Sequence, residues 1–141
     1  MRFGADYYPE HWPRERWETD ARLMAEAGLE LVRLAEFAWS RLEPAQDRFD
    51  FAWLDDALDV LGRAGLKAVL GTPSAAPPAW LIERYPEALP VREDGTRLGF
   101  GGRHHDCQSN PDYRRRVAAV IRAMAEHYKD NPHVIGWQTD N

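Results

Sequence analysis

Apolar positions along the chain follow two alternating rhythms. Short runs at residues 3–8, 31–34, 67–71 and 134–139 read as strands. Between them, apolar side chains recur every three or four residues, which places them on one face of a helix. Trp17, Ala21, Met24 and Ala25 form the first such stripe, after Pro13 at its first turn and before Gly28 just past its end. Leu54, Ala57, Leu58, Leu61 and Ala64 form the second, with Asp50 as a candidate cap and Gly65 as its stop. Val117, Val120, Ile121, Met124 and Tyr128 form the third, opened by Asn110-Pro111, an Asn cap followed by Pro at the first helical position.

The punctuation repeats. Ala27-Gly28-Leu29 and Ala64-Gly65-Leu66 both join a helix end to an apolar strand. Repeated strand–helix units imply a parallel sheet with right-handed crossovers, either open and doubly wound or closed into a barrel. The loops separate the two. No Gly-rich phosphate turn follows the first strand, which removes the main support for a dinucleotide-binding fold. The strand-to-helix loops are long, polar and aromatic, whereas the helix-to-strand turns are short. The third loop, residues 72–109, is expected to hold a short helix near residues 78–84. Long loops on the carboxyl side of every strand are the pattern of a (β/α)8 enzyme, whose active site lies on that face. A full barrel takes ~250 residues. The expectation is therefore an α/β chain: the first half, strands one to four, of a (β/α)8 TIM barrel, truncated at the end of the fourth strand, with all 141 residues in one domain.

Composition narrows the partners. Eighteen Lys and Arg against 23 Asp and Glu leave a net charge of −5 with no long run of one sign, which argues against nucleic acid and anionic membrane. No apolar stretch approaches the ~20 residues of a membrane span, and the first residues lack the apolar core of a signal peptide. The single cysteine, Cys107, excludes an internal disulfide and suits a reducing compartment, so a cytoplasmic location is expected. Aromatic residues make up 11% of the chain, and many fall in loops: Tyr7, Tyr8, Trp12, Phe37, Trp39 and Trp80. Singly, each reads as packing. Together on loops they suit a surface that stacks on sugar rings.

Candidate chemistry gathers at the end of the fourth strand, Gly136-Trp137-Gln138-Thr139-Asp140-Asn141, where a barrel enzyme carries catalytic groups. Asp140 is open to two readings, a strand-ending polar turn or a general acid or base. Asn141 offers both donor and acceptor to a hydroxyl. Arg33 lies within an apolar strand, so its charge requires a carboxylate partner. His104-His105-Asp106-Cys107 invites a metal reading, but one cysteine cannot close a tetrahedral site. His11, His127 and His133 carry no spacing signal and read as structural.

Three stretches, in order, resemble the β-galactosidases of glycoside hydrolase family forty-two: Gly4-Ala5-Asp6-Tyr7-Tyr8-Pro9-Glu10-His11-Trp12, Val32-Arg33-Leu34-Ala35-Glu36-Phe37-Ala38-Trp39-Ser40-Arg41-Leu42-Glu43-Pro44, and Gly136-Trp137-Gln138-Thr139-Asp140-Asn141. The resemblance implies a retaining hydrolase acting on terminal β-galactosides, with a Glu directly after the residue matching Asn141 as acid/base and a second Glu at the seventh strand as nucleophile, so that neither catalytic carboxylate lies in these residues. It implies that Asn141 and Arg103 contact the sugar and that Arg33 supports the nucleophile, although a structural ion pair explains Arg33 nearly as well. It implies no cofactor for catalysis, a structural zinc in the full-length protein with Cys107 as the first of four cysteine ligands, and a homotrimer when full length. Another barrel β-glycosidase of the same clan and a non-catalytic carbohydrate-binding fragment are the alternatives.

Overall fold

The computed structural model describes residues 2–141. Four strands form one parallel sheet in sequence order: β1 (Gly4–Asp6), β2 (Leu31–Leu34), β3 (Lys67–Gly71) and β4 (Val134–Gln138). The long helices between them are α1 (Trp17–Glu26), α3 (Ala52–Arg63) and α5 (Pro111–Tyr128). Two short helices lie in the loops, α2 (Trp39–Leu42) after β2 and α4 (Ala79–Arg84) after β3. The expected half-barrel order is thus observed, with the short helix of the third loop near its expected place.

Alternation along the strands decides which residues enter the core. Val32 and Leu34 on β2 and Ala68 and Leu70 on β3 are buried, and they share one cluster with Trp17 and Ala21 of α1, Leu54, Leu58 and Leu61 of α3, and Val120 and Met124 of α5. All three long helices therefore cover one face of the sheet. Each fully buried Leu contributes roughly 1.5–3 kcal/mol. Leu31 and Arg33, of opposite parity, point to the other face, and Arg33 is paired in register with Asp6 and Val69.

The repeated Ala-Gly-Leu turns have one geometry. Gly28 and Gly65 adopt φ of 81° and 84°. Leu29 N–H donates to the Met24 carbonyl and Gly28 N–H to that of Ala25, while Leu66 and Gly65 repeat the pair on Leu61 and Gly62. These are Schellman endings, in which a left-handed residue satisfies the last helical carbonyls and turns the chain directly into the next strand.

Several boundaries differ from expectation. β1 is confined to Gly4–Asp6 rather than residues 3–8, because Tyr7 already leaves the ladder with only its N–H bonded to the Arg33 carbonyl. Pro13 precedes a 3₁₀ turn, Arg14–Arg16, and the α-helix begins at Trp17. Asp50 accepts from the Ala52 N–H one position ahead of Phe51, which occupies the cap. Asn110 caps α5 as expected, accepting from Tyr113 N–H at 2.9 Å.

Candidate active site

The carboxyl ends of the strands carry the loops that the sequence marks. The loop after β2 turns sharply at Ala35, whose φ is 74°. This turns Glu36 back into the structure, where it is fully buried. Its Oε1 accepts from the Tyr8 hydroxyl at 2.8 Å and lies 3.0 Å from Arg33 Nη2. The same Nη2 donates to Asp6 Oδ2 at 2.8 Å. The carboxylate partner required for Arg33 is therefore a pair, supplied by β1 and by the loop after β2. Burial works against the Arg33 charge, yet Glu36 and Asp6 outweigh it and hold the guanidinium above its ordinary range.

The same loop is locked from below by Glu43, also fully buried. Its carboxylate accepts from Trp39 Nε1 and from the Asp47 N–H, each at 2.8 Å, and from the Arg116 guanidinium of α5. Trp80 Nε1 of α4 donates to the Glu43 carbonyl at 2.8 Å. One residue thus ties the loop after β2 to α4 and α5.

The loop spanning residues 72–109 is held at several points rather than free. His104 N–H donates to the Ala75 carbonyl, Cys107 N–H to that of Ala88, and the Tyr113 hydroxyl to that of Ser74. Its later part returns over the sheet end, where His104 Nε2 donates to the Asn141 carbonyl at 2.6 Å. Asn141 Oδ1 accepts from Gln138 Nε2 at 3.1 Å. The Arg103 guanidinium sits 5.7 Å from the centroid of the Phe37 ring, a cation–π distance. A cavity of about 460 Å³ opens here, lined by Phe37, Ala75, Pro77, Phe100 and Arg103 among others. Arg103, Asn141 and the residue 36–44 loop therefore gather at one end of the sheet.

The structure favours one reading of Asp140. Its φ is 64°, its N–H donates to Thr72 Oγ1 at 2.8 Å, and its Oδ1 accepts from Ser74 Oγ at 2.9 Å. It is a turn residue that joins the end of β4 to the start of the third loop. His127 pairs with Asp55 and His11 stacks on Tyr8, both packing roles. Cys107 is a half-buried free thiol. Among the described residues no group of three or more His, Cys, Asp and Glu could hold a metal ion, so the residues present do not by themselves make a zinc site. Among them, too, no helix is long and apolar enough to cross a membrane.

Sequence reasoning predicted that Arg33 needs a carboxylate but did not single out Glu36, Asp6 or Tyr8 as its partners. The available signal was Glu36 three residues beyond an arginine in an apolar strand. Arg116 carries no signal of its own in the sequence, because its partner Glu43 lies far away along the chain.

A family model described as beta-galactosidase, that of glycoside hydrolase family forty-two, matches residues 6–141. The chain belongs to this family. It is 51% identical over 141 residues to beta-galactosidase BgaH of Haloferax lucentense and 54% identical over 138 residues to a beta-galactosidase of Thermus thermophilus. These matches cover 100% and 98% of the chain and 21% of each relative. Among solved structures, the beta-galactosidase of the Antarctic haloarchaeon Halorubrum lacusprofundi superposes with a TM-score of 0.96 at 50% identity, covering 100% of this chain and 21% of that one. The beta-galactosidase of the psychrophilic Marinomonas ef1 gives 0.95 at 45%, covering 100% and 22%. The chain thus spans about a fifth of the length of the curated relatives it matches.

Proposed function

We propose that these residues are the amino-terminal half of the catalytic barrel of a retaining β-galactosidase that hydrolyses terminal non-reducing β-D-galactosides. The observation that carries this reading is the His104 bond to the Asn141 carbonyl, which brings the residue next to Arg103 onto the end of β4, beside a cavity that Arg103 lines. A barrel glycosidase binds its sugar on that face. The retaining mechanism needs two carboxyl groups ~5–5.5 Å apart. In this reading the acid/base Glu directly follows Asn141 and the nucleophile comes from the seventh strand, so this chain supplies the binding half of the site and neither reacting carboxylate.

Each residue then has a defined task. Asn141 can donate to and accept from a sugar hydroxyl, while Arg103 can only donate. Phe37 and Phe100 give the cavity apolar walls against a sugar face. Arg33, held by Asp6 and Glu36, presents its remaining N–H groups on the inner face of the sheet. Glu43 is fully engaged with Arg116, Trp39 and Asp47 and is structural. A structural zinc would draw one thiolate from Cys107 and the rest from elsewhere, and no step of the hydrolysis passes through it.

The deciding experiment follows hydrolysis of an aryl β-galactoside by the polypeptide that joins this chain to the rest of its barrel, with proton NMR of the first-formed sugar. β-Galactose as first product supports the reading. α-Galactose as first product excludes the retaining mechanism, and a strong preference for another β-glycoside excludes the substrate.

A further inference from the structure

Among the described residues two carboxylates, Glu36 and Glu43, are wholly buried, and of these only Glu43 is fully used. Both oxygens of Glu43 are engaged. Glu36 places both of its contacts, Tyr8 and Arg33, on Oε1, while the buried Oε2 has no partner among the described residues. Such a carboxylate is costly to keep. The chain nevertheless gives it room. Ala35 takes a left-handed conformation to turn it inward, and a Cβ at position 71 on β3 would come within 2.5 Å of the Glu36 Cβ, so only glycine leaves the space.

Charge balance alone does not require this. Asp6 already meets Arg33 at 2.8 Å. A second, buried carboxylate on the same nitrogen adds direction, because the guanidinium cannot rotate without breaking contacts to two different elements. Nε of Arg33 is buried and has no partner among the described residues. Tyr8 steadies Glu36 in turn, and its own ring stacks on His11 and Phe37 at centroid distances of 5.4 and 6.2 Å.

We propose that Glu36 is a positioning residue: with Tyr8 it clamps Arg33, so that the unused N–H groups of the guanidinium are held toward the reacting carboxylate of the hydrolytic site. The inference rests on the retaining β-galactosidase reading above. The titratable and charged groups around Glu36 are Arg33 and Tyr8 in contact, Asp6 through Arg33, and Glu10, which feels both Glu36 and Arg41. β3 faces it with Gly71.

The test uses the polypeptide carrying the complete barrel. Glu36→Gln keeps an oxygen for the Tyr8 hydroxyl, whose bond becomes a weaker neutral one, and removes the negative charge that pairs with Arg33. With the variant folded by circular dichroism, kcat should fall by about fivefold or more while KM stays within about twofold, the signature of an interaction made in the transition state. The acidic limb of the kcat/KM profile should move to lower pH, because a less neutralised guanidinium favours the ionised form of the nucleophile. Tyr8→Phe, which removes only the hydroxyl, should lower kcat in the same sense by a smaller factor. A folded Glu36→Gln with unchanged kcat and an unshifted acidic limb overturns the inference alone, as does a change confined to KM. If Glu36→Gln does not fold, a folded Tyr8→Phe with unchanged kcat overturns it. A wild-type polypeptide inactive on β-galactosides overturns the functional reading, and this inference with it.

Discussion

Arg103 and Asn141 differ in what they can offer a sugar, and the difference sets how their loss would be felt. Asn141 can satisfy both the proton and the lone pairs of a hydroxyl. In the polypeptide carrying the complete barrel, Asn141→Ala should lower kcat/KM on a β-galactoside by about ten- to 150-fold, the equivalent of ~1.4–3 kcal/mol. The loss should fall mainly on kcat. Arg103 is stacked on Phe37 in the free protein and offers donors only, so Arg103→Ala should act more on KM. Folded variants of both that keep wild-type kcat/KM would show that these residues do not line the sugar site. Glu10 gives a second prediction at this scale. Both its carboxylate oxygens are buried and without a partner among the described residues, and burial pushes its pKa up from the ordinary value. A carboxyl whose folded pKa is raised adds stability below its unfolded pKa and loses it as pH rises through the folded value. Glu10→Gln should therefore raise the Tm near neutral pH by roughly 2–4 °C, with the gain fading toward pH ~4, where the Glu10 carboxyl is protonated and as neutral as the glutamine. Thermal unfolding across that range, with the variant no more stable at pH 7, would contradict the assignment.

At the scale of elements, one ion pair holds the site loops to the scaffold. Arg116 of α5 is buried among Glu43 and Asp47, and although burial works against its charge, the two carboxylates outweigh it and hold it above its ordinary range. Arg116→Ala would leave Glu43 buried and uncompensated, at a cost of about 3–5 kcal/mol. Replacing both partners by apolar residues, Arg116→Met with Glu43→Leu, should recover much of that cost by removing the stranded charge. Urea unfolding of the two variants in the complete barrel checks this, and equal loss in both would mean that Trp39 and the Asp47 N–H, rather than the charge, set the stability of the loop. α5 itself was legible from its Asn-Pro start and its 3.6-residue stripe, because a capping side chain and an apolar face act within one helical turn. The inward face of Arg116 was not, because a charged residue at that position reads as solvated until its partner is known.

At the scale of the whole molecule, the sheet is open at β1 and β4, and Ile135 and Trp137 of β4 are 45% and 38% exposed. In a closed barrel the strand edges pair and such side chains are covered. Since the proposed function places neither reacting carboxylate in this chain, the chain alone should not hydrolyse an aryl β-galactoside above background, while the polypeptide carrying the complete barrel does. Ordinary turnover by the purified 141-residue chain would refute the placement of both reacting carboxylates outside it. The sequence by itself determined the order of elements, the parallel sheet, the glycine-stopped helix ends and the family, because periodicity, caps and contiguous motifs are local properties of the chain. It also required a carboxylate for Arg33, since a charge in an apolar strand needs one. Only the tertiary structure decided which carboxylates answer it. Asp6 comes from another strand, Glu36 is turned inward by the left-handed Ala35, and the space for it is left by Gly71 of β3. The meeting of Arg103 with Phe37, and of His104 with the Asn141 carbonyl, likewise depends on how separate loops pack over the sheet end, which no local pattern encodes.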